Sequence, residues 1–428
     1  MPEILLRARK DAFDLVTPEE ALVHNTFADN AGNLIFSFAA QRILATPTTR
    51  VTVDRFVIDP GAADRINERY DAYVIPLANA FRPSYEPQLR RLTALIERLR
   101  IPVVILGVGA QGDLAYRTGR LDGIEPAVRA FCAAVLERGP RIGVRGELTR
   151  DYLAGLGFRD TEVIGCPSLF IHGPDLRVQK ATPELASDAR VVVTVSPYVT
   201  AMGQVVRHHL ERYPNLRYIP QDIDTLELLL WGGIGDDVAI DDQMPVHEAH
   251  RLFRDDRVRF FTEPWPWLRY LATIDFTFGT RIHGAIAALM AGRPAYVLAH
   301  DSRTLELARY FEIPHAPIGD GGMIDAAELY ARADYGPFNA GQPARFATFA
   351  AFLAEHGLTH AFTDGETDPP FLERAANIDW PRAVTIADRK PPQGMTGRLR
   401  RWRRRARRML RSSHVRRMRV ALTRARRS

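Results

Sequence analysis

Cysteine is nearly absent from this chain: Cys132 and Cys166 are the only two in 428 residues. Two thiols make neither a disulfide framework nor a cysteine-rich zinc cluster, which excludes a stapled secreted scaffold. Long apolar runs are also missing. The best candidate, 282–299, is broken by His283, Gly284, Gly292, Arg293 and Pro294, so nothing reaches the roughly 18–20 apolar residues of a membrane span. The opening MPEILLRARKDAFD is too polar for a secretory signal. No motif repeats with a period of 20–50 residues. What is there is an ordinary globular mixture, 46% apolar and 25% charged, which excludes global disorder. Its length asks for two domains with additions, and a cytosolic enzyme fits.

Acidic residues are missing from one place only. From Arg389 to Ser428 there are 17 Arg or Lys and no Asp or Glu, which leaves 40 basic against 51 acidic groups in the rest. The body therefore carries −11, and the net +6 of the whole comes from a tail. Arguments from high positive charge to polyanion binding apply to that tail alone. Within it, Leu399, Trp402, Ala406, Met409 and Leu410 fall at helical spacing, and Val415, Met418 and Leu422 continue the pattern. A basic amphipathic helix of this kind suits an anionic membrane surface, with the indole at headgroup depth. Nucleic acid is the rival partner and a solvated, unstructured tail the plain alternative.

Strand-like and helix-like segments alternate through residues 1–175. VTVDRF, DAYVIPLANAF, IPVVILGVGAQG, RIGVRG and TEVIGCPSLF read as strands with their turns. Helices are expected after AGN at 31–33, at 89–100, at 125–138 and after Gly146. A polar stretch at 174–190 reads as a connection. A second block follows at 191–322, with strands in VVVTVSPY, LRYIPQDI, VRFFTE, TIDFTFG and PAYVLAHD. Helices near 201–213, 225–231, 245–254, 265–273, 283–291 and 303–311 lie between them. Alternation implies parallel pairing. The expected class is α/β: two Rossmann-like domains facing a cleft in a GT-B-like arrangement, a helical segment at 323–388, and the basic tail 389–428.

Five segments carry candidate chemistry. Gly107-Val-Gly109-Ala-Gln-Gly112 matches G-x-G-x-x-G after a strand, but no helical stripe follows it, so dinucleotide binding is not expected. It is either a substrate-facing loop or a tight turn. His247-Glu248-Ala249-His250 is one residue short of the zinc-protease spacing and reads as a solvated helix face. In Gly279-Thr280-Arg281-Ile282-His283-Gly284 a buried strand turns into a helix of small residues. The free N–H groups and dipole of a helix start favour an anion. There Arg281 offers a planar fork for carboxylate or phosphate, His283 a movable proton, and Gly284 a close approach. Asp301-Ser302-Arg303-Thr304 opens the next helix, either as a second pocket wall through Ser302 and Arg303 or as an N-cap with an Arg303–Glu306 surface pair. Finally, Arg145 in Ile142-Gly143-Val144-Arg145-Gly146 either meets the cleft or pairs with Glu147 or Asp151.

The last three segments together resemble the polysaccharide pyruvyl transferase family. The likeness lies in GTRIHGAIAALMAGRP, in DSRTLELARYFEIP beyond it, and in IGVRGELTRDYLAGLGF with VIGCPSLF. The resemblance implies a GT-B-like fold and transfer of the enolpyruvyl carbons of phosphoenolpyruvate onto two sugar hydroxyls, giving a cyclic ketal and phosphate. The acceptor would be a cell-surface or exopolysaccharide sugar, including a lipid-linked one, met at the inner face of the cytoplasmic membrane. The family's Arg-x-His maps onto Arg281-Ile282-His283 and its Val-Arg-Gly arginine onto Arg145. Where the family often has Gly-Asp and Gly-Asp-Pro, this chain reads Phe27-Ala-Asp29-Asn30 and Gly165-Cys166-Pro167. The expected site is His283 and Arg281 as catalytic groups, with Arg145, Gly284, Ser302 and Arg303 on the substrate, and with no metal and no cofactor. The rivals are a nucleotide-sugar glycosyltransferase on the same architecture and a non-catalytic scaffold for the tail.

Overall fold

The computed structural model describes residues 1–232, 243–319, 324–363 and 369–391. The first sheet has the order β2-β1-β3-β4, from strands Glu3–Leu6 (β1), Arg50–Val53 (β2), Ala72–Pro76 (β3) and Val103–Leu106 (β4), and every pairing is parallel. Ile142–Val144 (β5) and Thr161–Val163 (β6) form a parallel pair that extends it through the Val108–Val144 bridge. The second sheet has the order β11-β10-β9-β7-β8, from Val191–Thr194 (β7), Arg217–Tyr218 (β8), Phe276–Gly279 (β9), Ala295–Ala299 (β10) and His315–Pro317 (β11), again all parallel. In each sheet the first strand lies between the second and third, so each has a switch point beside its first strand. Parallel α/β sheets take ligands at the strand C-terminal ends next to that point.

The strands read as unbroken apolar runs because helices cover both faces. In β3 every residue is buried; Tyr73 and Ile75 enter one core cluster while Ala72 and Val74 enter the other, the two-residue period of a strand. The two domains are joined by specific polar contacts as well. Ala31 N–H donates to the Gln221 carbonyl (2.8 Å) and Ile223 N–H to the Asp29 carbonyl (3.2 Å). The buried Lys10 ammonium meets Glu263 at 2.7 Å. Gly32 begins helix Gly32–Leu44 where a Cβ would stand 2.7 Å from the His283 Cβ, so only glycine lets these elements approach across the cleft.

Three expectations are corrected. VRFFTE is no strand of the second sheet; it makes only isolated bridges at Val258 and Phe260. The helix expected at 245–254 is confined to Arg251–Arg254. His247 and His250 are buried rather than solvated, and the His250 ring caps that short helix by accepting the Leu252 N–H. Beyond the second sheet, helix Gly336–Glu355 returns to residue 170, where Phe349 stacks on Phe170 at 4.8 Å. The amphipathic pattern of the tail, from 392 onward, lies outside the described residues. Among the described residues no helix is long and apolar enough to cross a membrane.

Candidate active site

The C-terminal ends of both sheets enclose a cavity of about 430 Å³. Arg7 follows β1, Asn79 and Arg82 follow β3, and Arg145 follows β5. From the other domain come Ser196 and Tyr198 after β7, Gln221 and Asp222 after β8, Arg281 and His283 after β9, and His300 and Arg303 after β10. Asn33, Phe36 and Ser37 of helix Gly32–Leu44 complete it. Both switch points therefore open into the same space.

Five guanidiniums line this cavity, and they are not alike. Arg7 bonds Asp54 at 3.1 Å, and Tyr73 O–H holds the same carboxylate oxygen at 2.6 Å. Arg281, at the start of helix Ile282–Met290, is paired with Asp222, and Arg303 is paired with Asp301. Arg82 and Arg145 have no acidic partner among the described residues. Arg82 donates to Ser84 Oγ (3.0 Å) and shares with Arg303 the Asn79 amide oxygen, at 2.7 and 2.6 Å. Arg145 is buried, and its Nε and Nη2 meet no acceptor. Burial pushes the Arg82 and Arg145 guanidinium pKa values down, and Arg303 beside each adds to the shift. Leaving a charged donor buried and unmatched costs several kcal/mol unless an anion arrives, on the order of that for any buried ion. This end of the cavity can therefore pair with a multiply charged anion.

His283 lies in the first turn of helix Ile282–Met290, buried at the cavity wall, and its Nε2 has no hydrogen-bond partner. Burial, with Arg145 and Arg281 nearby, pushes its pKa down to about 3. The imidazole is thus neutral near pH 7, with a ring nitrogen free to accept a proton. Asp222, in the same cavity, keeps Oδ2 unpaired, and burial raises its pKa. His300 leaves Nδ1 unpaired while its Nε2 meets Tyr198 O–H at 3.2 Å. Among the described residues no cluster of three or more His, Cys, Asp or Glu is placed to hold a metal.

The polysaccharide pyruvyl transferase family model matches residues 30–302. The chain belongs to that family. As a pyruvyl transferase acting in polysaccharide pyruvylation, it has the matched region running from the loop before helix Gly32–Leu44 to the start of helix Ser302–Tyr310, so all the cavity arginines except Arg7 and Arg303 fall within it. No curated protein matches the transferase in sequence. Similar solved structures include a UDP-GlcNAc 2-epimerase from Neisseria meningitidis bound to UDP-GlcNAc, with 12% identity over 83% of this chain and 100% of that one and a TM-score of 0.44. Another is the UDP-GlcNAc 2-epimerase of Methanocaldococcus jannaschii, with 10% identity over 82% and 99% and a TM-score of 0.43.

The structure sorts the residues singled out in the transferase sequence. Arg281, His283, Arg145 and Arg303 share the cavity; Gly284 and Ser302 are not on its wall. A Cβ at Gly284 would stand 2.6 Å from the Thr194 side chain, so this glycine seats its helix on the sheet. Ser302 Oγ is used between domains, accepting the Gly112 N–H at 2.7 Å. Arg145 has neither of the salt bridges considered for it. Gly107, Gly109 and Gly112 serve close packing: a Cβ at Gly107 would reach the Gly165 carbonyl at 2.5 Å, in a left-handed backbone (φ 68°). Arg7, Asn79, Arg82, Asp222 and His300 were not found from sequence. Each follows a strand end, and that position is the one signal that could have singled them out.

An Arg303–Glu306 surface pair was one of the two readings of the helix start at Ser302. Glu306 is buried instead, accepting the Thr149 N–H at 2.8 Å across the domain boundary, and burial pushes its pKa up to about 7 from 4.5. Between those values the folded chain holds a proton that the unfolded chain has released, so stability falls as pH rises through the window. Glu306→Gln keeps the acceptor and removes the ionisation. Urea unfolding at about pH 5 and pH 8 should show the variant gaining on the parent at the higher pH; an unchanged difference would place the Glu306 ionisation elsewhere.

Proposed function

We propose that the cavity binds phosphoenolpyruvate and transfers its three pyruvyl carbons, as a cyclic ketal, to two hydroxyls of one sugar in a cell-surface or exopolysaccharide, releasing phosphate. The observation that carries this reading is the unpaired, buried Arg145 facing the cavity beside Arg82 and Arg303. A donor with a carboxylate and a phosphate matches such a set. Arg145 and Arg82, free of acids, take the phosphate; Arg281, turned by Asp222 and the Val195 carbonyl (3.4 Å), takes the carboxylate in a planar fork.

The reaction consumes two hydroxyl protons. One ends on the enol methylene, which becomes a methyl group, and the other on the departing phosphate. Neutral His283 takes the first hydroxyl's proton and relays it to the enol methylene as that oxygen bonds to the neighbouring carbon, so attack and protonation go together. Asp222 Oδ2 serves the second hydroxyl. Arginines fixed before the donor arrives stabilise the charge on the phosphate as it leaves.

Donor choice is tested by thermal shift. Phosphoenolpyruvate should raise the melting temperature more than pyruvate, inorganic phosphate or UDP-N-acetylglucosamine does. Stabilisation by the nucleotide sugar alone would make the chain a glycosyltransferase.

The reading extends to location: an acceptor carried on a lipid would be met at the inner membrane face, and the 17 basic residues of 389–428 supply the attraction. Flotation with phosphatidylglycerol vesicles should recover the whole chain and lose one ending at Asp388. Equal flotation of the two contradicts a membrane role for the tail.

A further inference from the structure

We propose that a second groove, lined by Trp265, Tyr270, Trp380 and Arg269, holds a neutral stretch of the acceptor's sugar chain several units away from the sugar being modified. This rests on the reading above that the acceptor is a sugar polymer. The groove encloses about 450 Å³ on the second domain, between helix Pro264–Leu271 and the returning segment 378–385.

Its walls are fixed before any ligand arrives. Phe260 and Val384 exchange both backbone hydrogen bonds, at 3.0 and 2.7 Å. The Trp380 indole N–H donates to the Ala375 carbonyl at 2.6 Å. Phe261 lies parallel to the buried Trp267, with ring centroids 6.2 Å apart. Aromatic faces held in this way offer flat, weakly polar surfaces to the C–H faces of pyranose rings.

The charges say which kind of ligand fits. Arg259 is forked onto Asp256, with both bonds at 3.1 Å, and Arg382 onto Asp388, at 2.9 and 2.6 Å. Asp379 lines the groove as well and offsets Arg269, which has no partner among the described residues. Two of the three arginines are thus held in fixed pairs, and the third is matched in charge by Asp379, though not bonded to it. Balanced, fixed pairs give alternating donors and acceptors, the pattern that a ring of hydroxyls satisfies. They give no net attraction to an anionic lipid or to the arginine-rich residues 392–428.

Position supports the same occupant. The Trp265 ring contacts Phe38 with centroids 6.5 Å apart, on the helix Gly32–Leu44 whose Asn33, Phe36 and Ser37 line the cavity. Groove and cavity therefore flank a single helix, a body about 10–12 Å across. A sugar polymer with one residue in the cavity can cross this helix to the groove, which then gives it a second hold that raises affinity through effective concentration.

The test uses the full chain on a glycan array of neutral hexoses, N-acetylhexosamines and uronates, each as dimer and hexamer, alongside phosphatidylglycerol vesicles. Neutral hexamers should bind and dimers should not. Trp380→Ala and Arg269→Ala should each weaken hexamer binding about tenfold, with phosphoenolpyruvate affinity and vesicle binding unchanged. Arg269 is exposed, so its variant keeps the fold intact. Three results overturn the proposal: no neutral hexamer bound, hexamers bound equally by parent and variants, or variants impaired on vesicles instead. If hexamers bind through the groove but phosphoenolpyruvate does not bind at all, the groove stands and the donor reading falls.

Discussion

Arg145→Met should make the ligand-free protein more stable and at the same time remove its affinity for phosphoenolpyruvate. The wild-type guanidinium is 3% exposed, pairs with no acid, and leaves Nε and Nη2 without acceptors. A buried donor left unmatched costs about 1–3 kcal/mol, and more when it is charged. Methionine covers much of the same volume and needs no partner, so the melting temperature should rise. Donor affinity should fall by roughly 10²-fold, from the loss of charge-assisted hydrogen bonds to one phosphate. The two changes in opposite directions mark a residue kept for a ligand. A variant that is less stable and binds phosphoenolpyruvate as before would make Arg145 a packing residue. Calorimetry and thermal unfolding on one preparation decide between them.

His283→Ala should lower kcat by ~10²–10⁴, the range for loss of a positioned proton carrier, with little change in donor KM. The pH profile is the sharper readout. A histidine held at about pKa 3 is neutral, and competent as a base, at every pH above that value. The free enzyme's kcat/KM should therefore carry no acid limb near pH 6.5 from this residue. Stability has the opposite sign to that argued for Glu306. The unfolded histidine, near 6.5, binds a proton that the folded one refuses, so the parent loses stability as pH falls from about 6.5 toward 3, and the alanine variant loses less. A full-rate variant would remove His283 from the chemistry, and one that loses the same stability across that window would contradict its lowered pKa.

The strand-to-helix turn at 279–284 was legible because its cause is local. A strand of buried residues ending in glycine, then a run of small residues closed by Gly292, specifies the turn and its exposed N–H groups before any tertiary contact forms. The two-block α/β organisation was legible for the same reason, since parallel strands sandwiched between helices must be continuously apolar. β1 escaped notice: four residues, Glu3–Leu6, are too few for a period to show, although this strand sets the switch point of its sheet. Arg7 and Arg82 were hidden because neither sits in a motif, and only sheet order brings them to His283. Ser302 was expected on the substrate and Glu306 entered only as one side of an alternative surface pair, because a helix start read alone does not show what packs on it from the other domain. Across the domain boundary both found backbone N–H groups instead, at Gly112 and Thr149.

The central claim is that this cavity moves pyruvyl carbons from phosphoenolpyruvate to a sugar. It is tested most directly by incubating the full chain with phosphoenolpyruvate labelled with ¹³C at C3 and a panel of lipid-linked oligosaccharides, then analysing the products by mass spectrometry and NMR. The account predicts a labelled methyl group on a ketal carbon bonded to two oxygens of one sugar, one phosphate released per ketal, and none of this with Arg145→Met. Unlabelled oligosaccharide together with intact phosphoenolpyruvate, or label transferred equally by Arg145→Met, would contradict it.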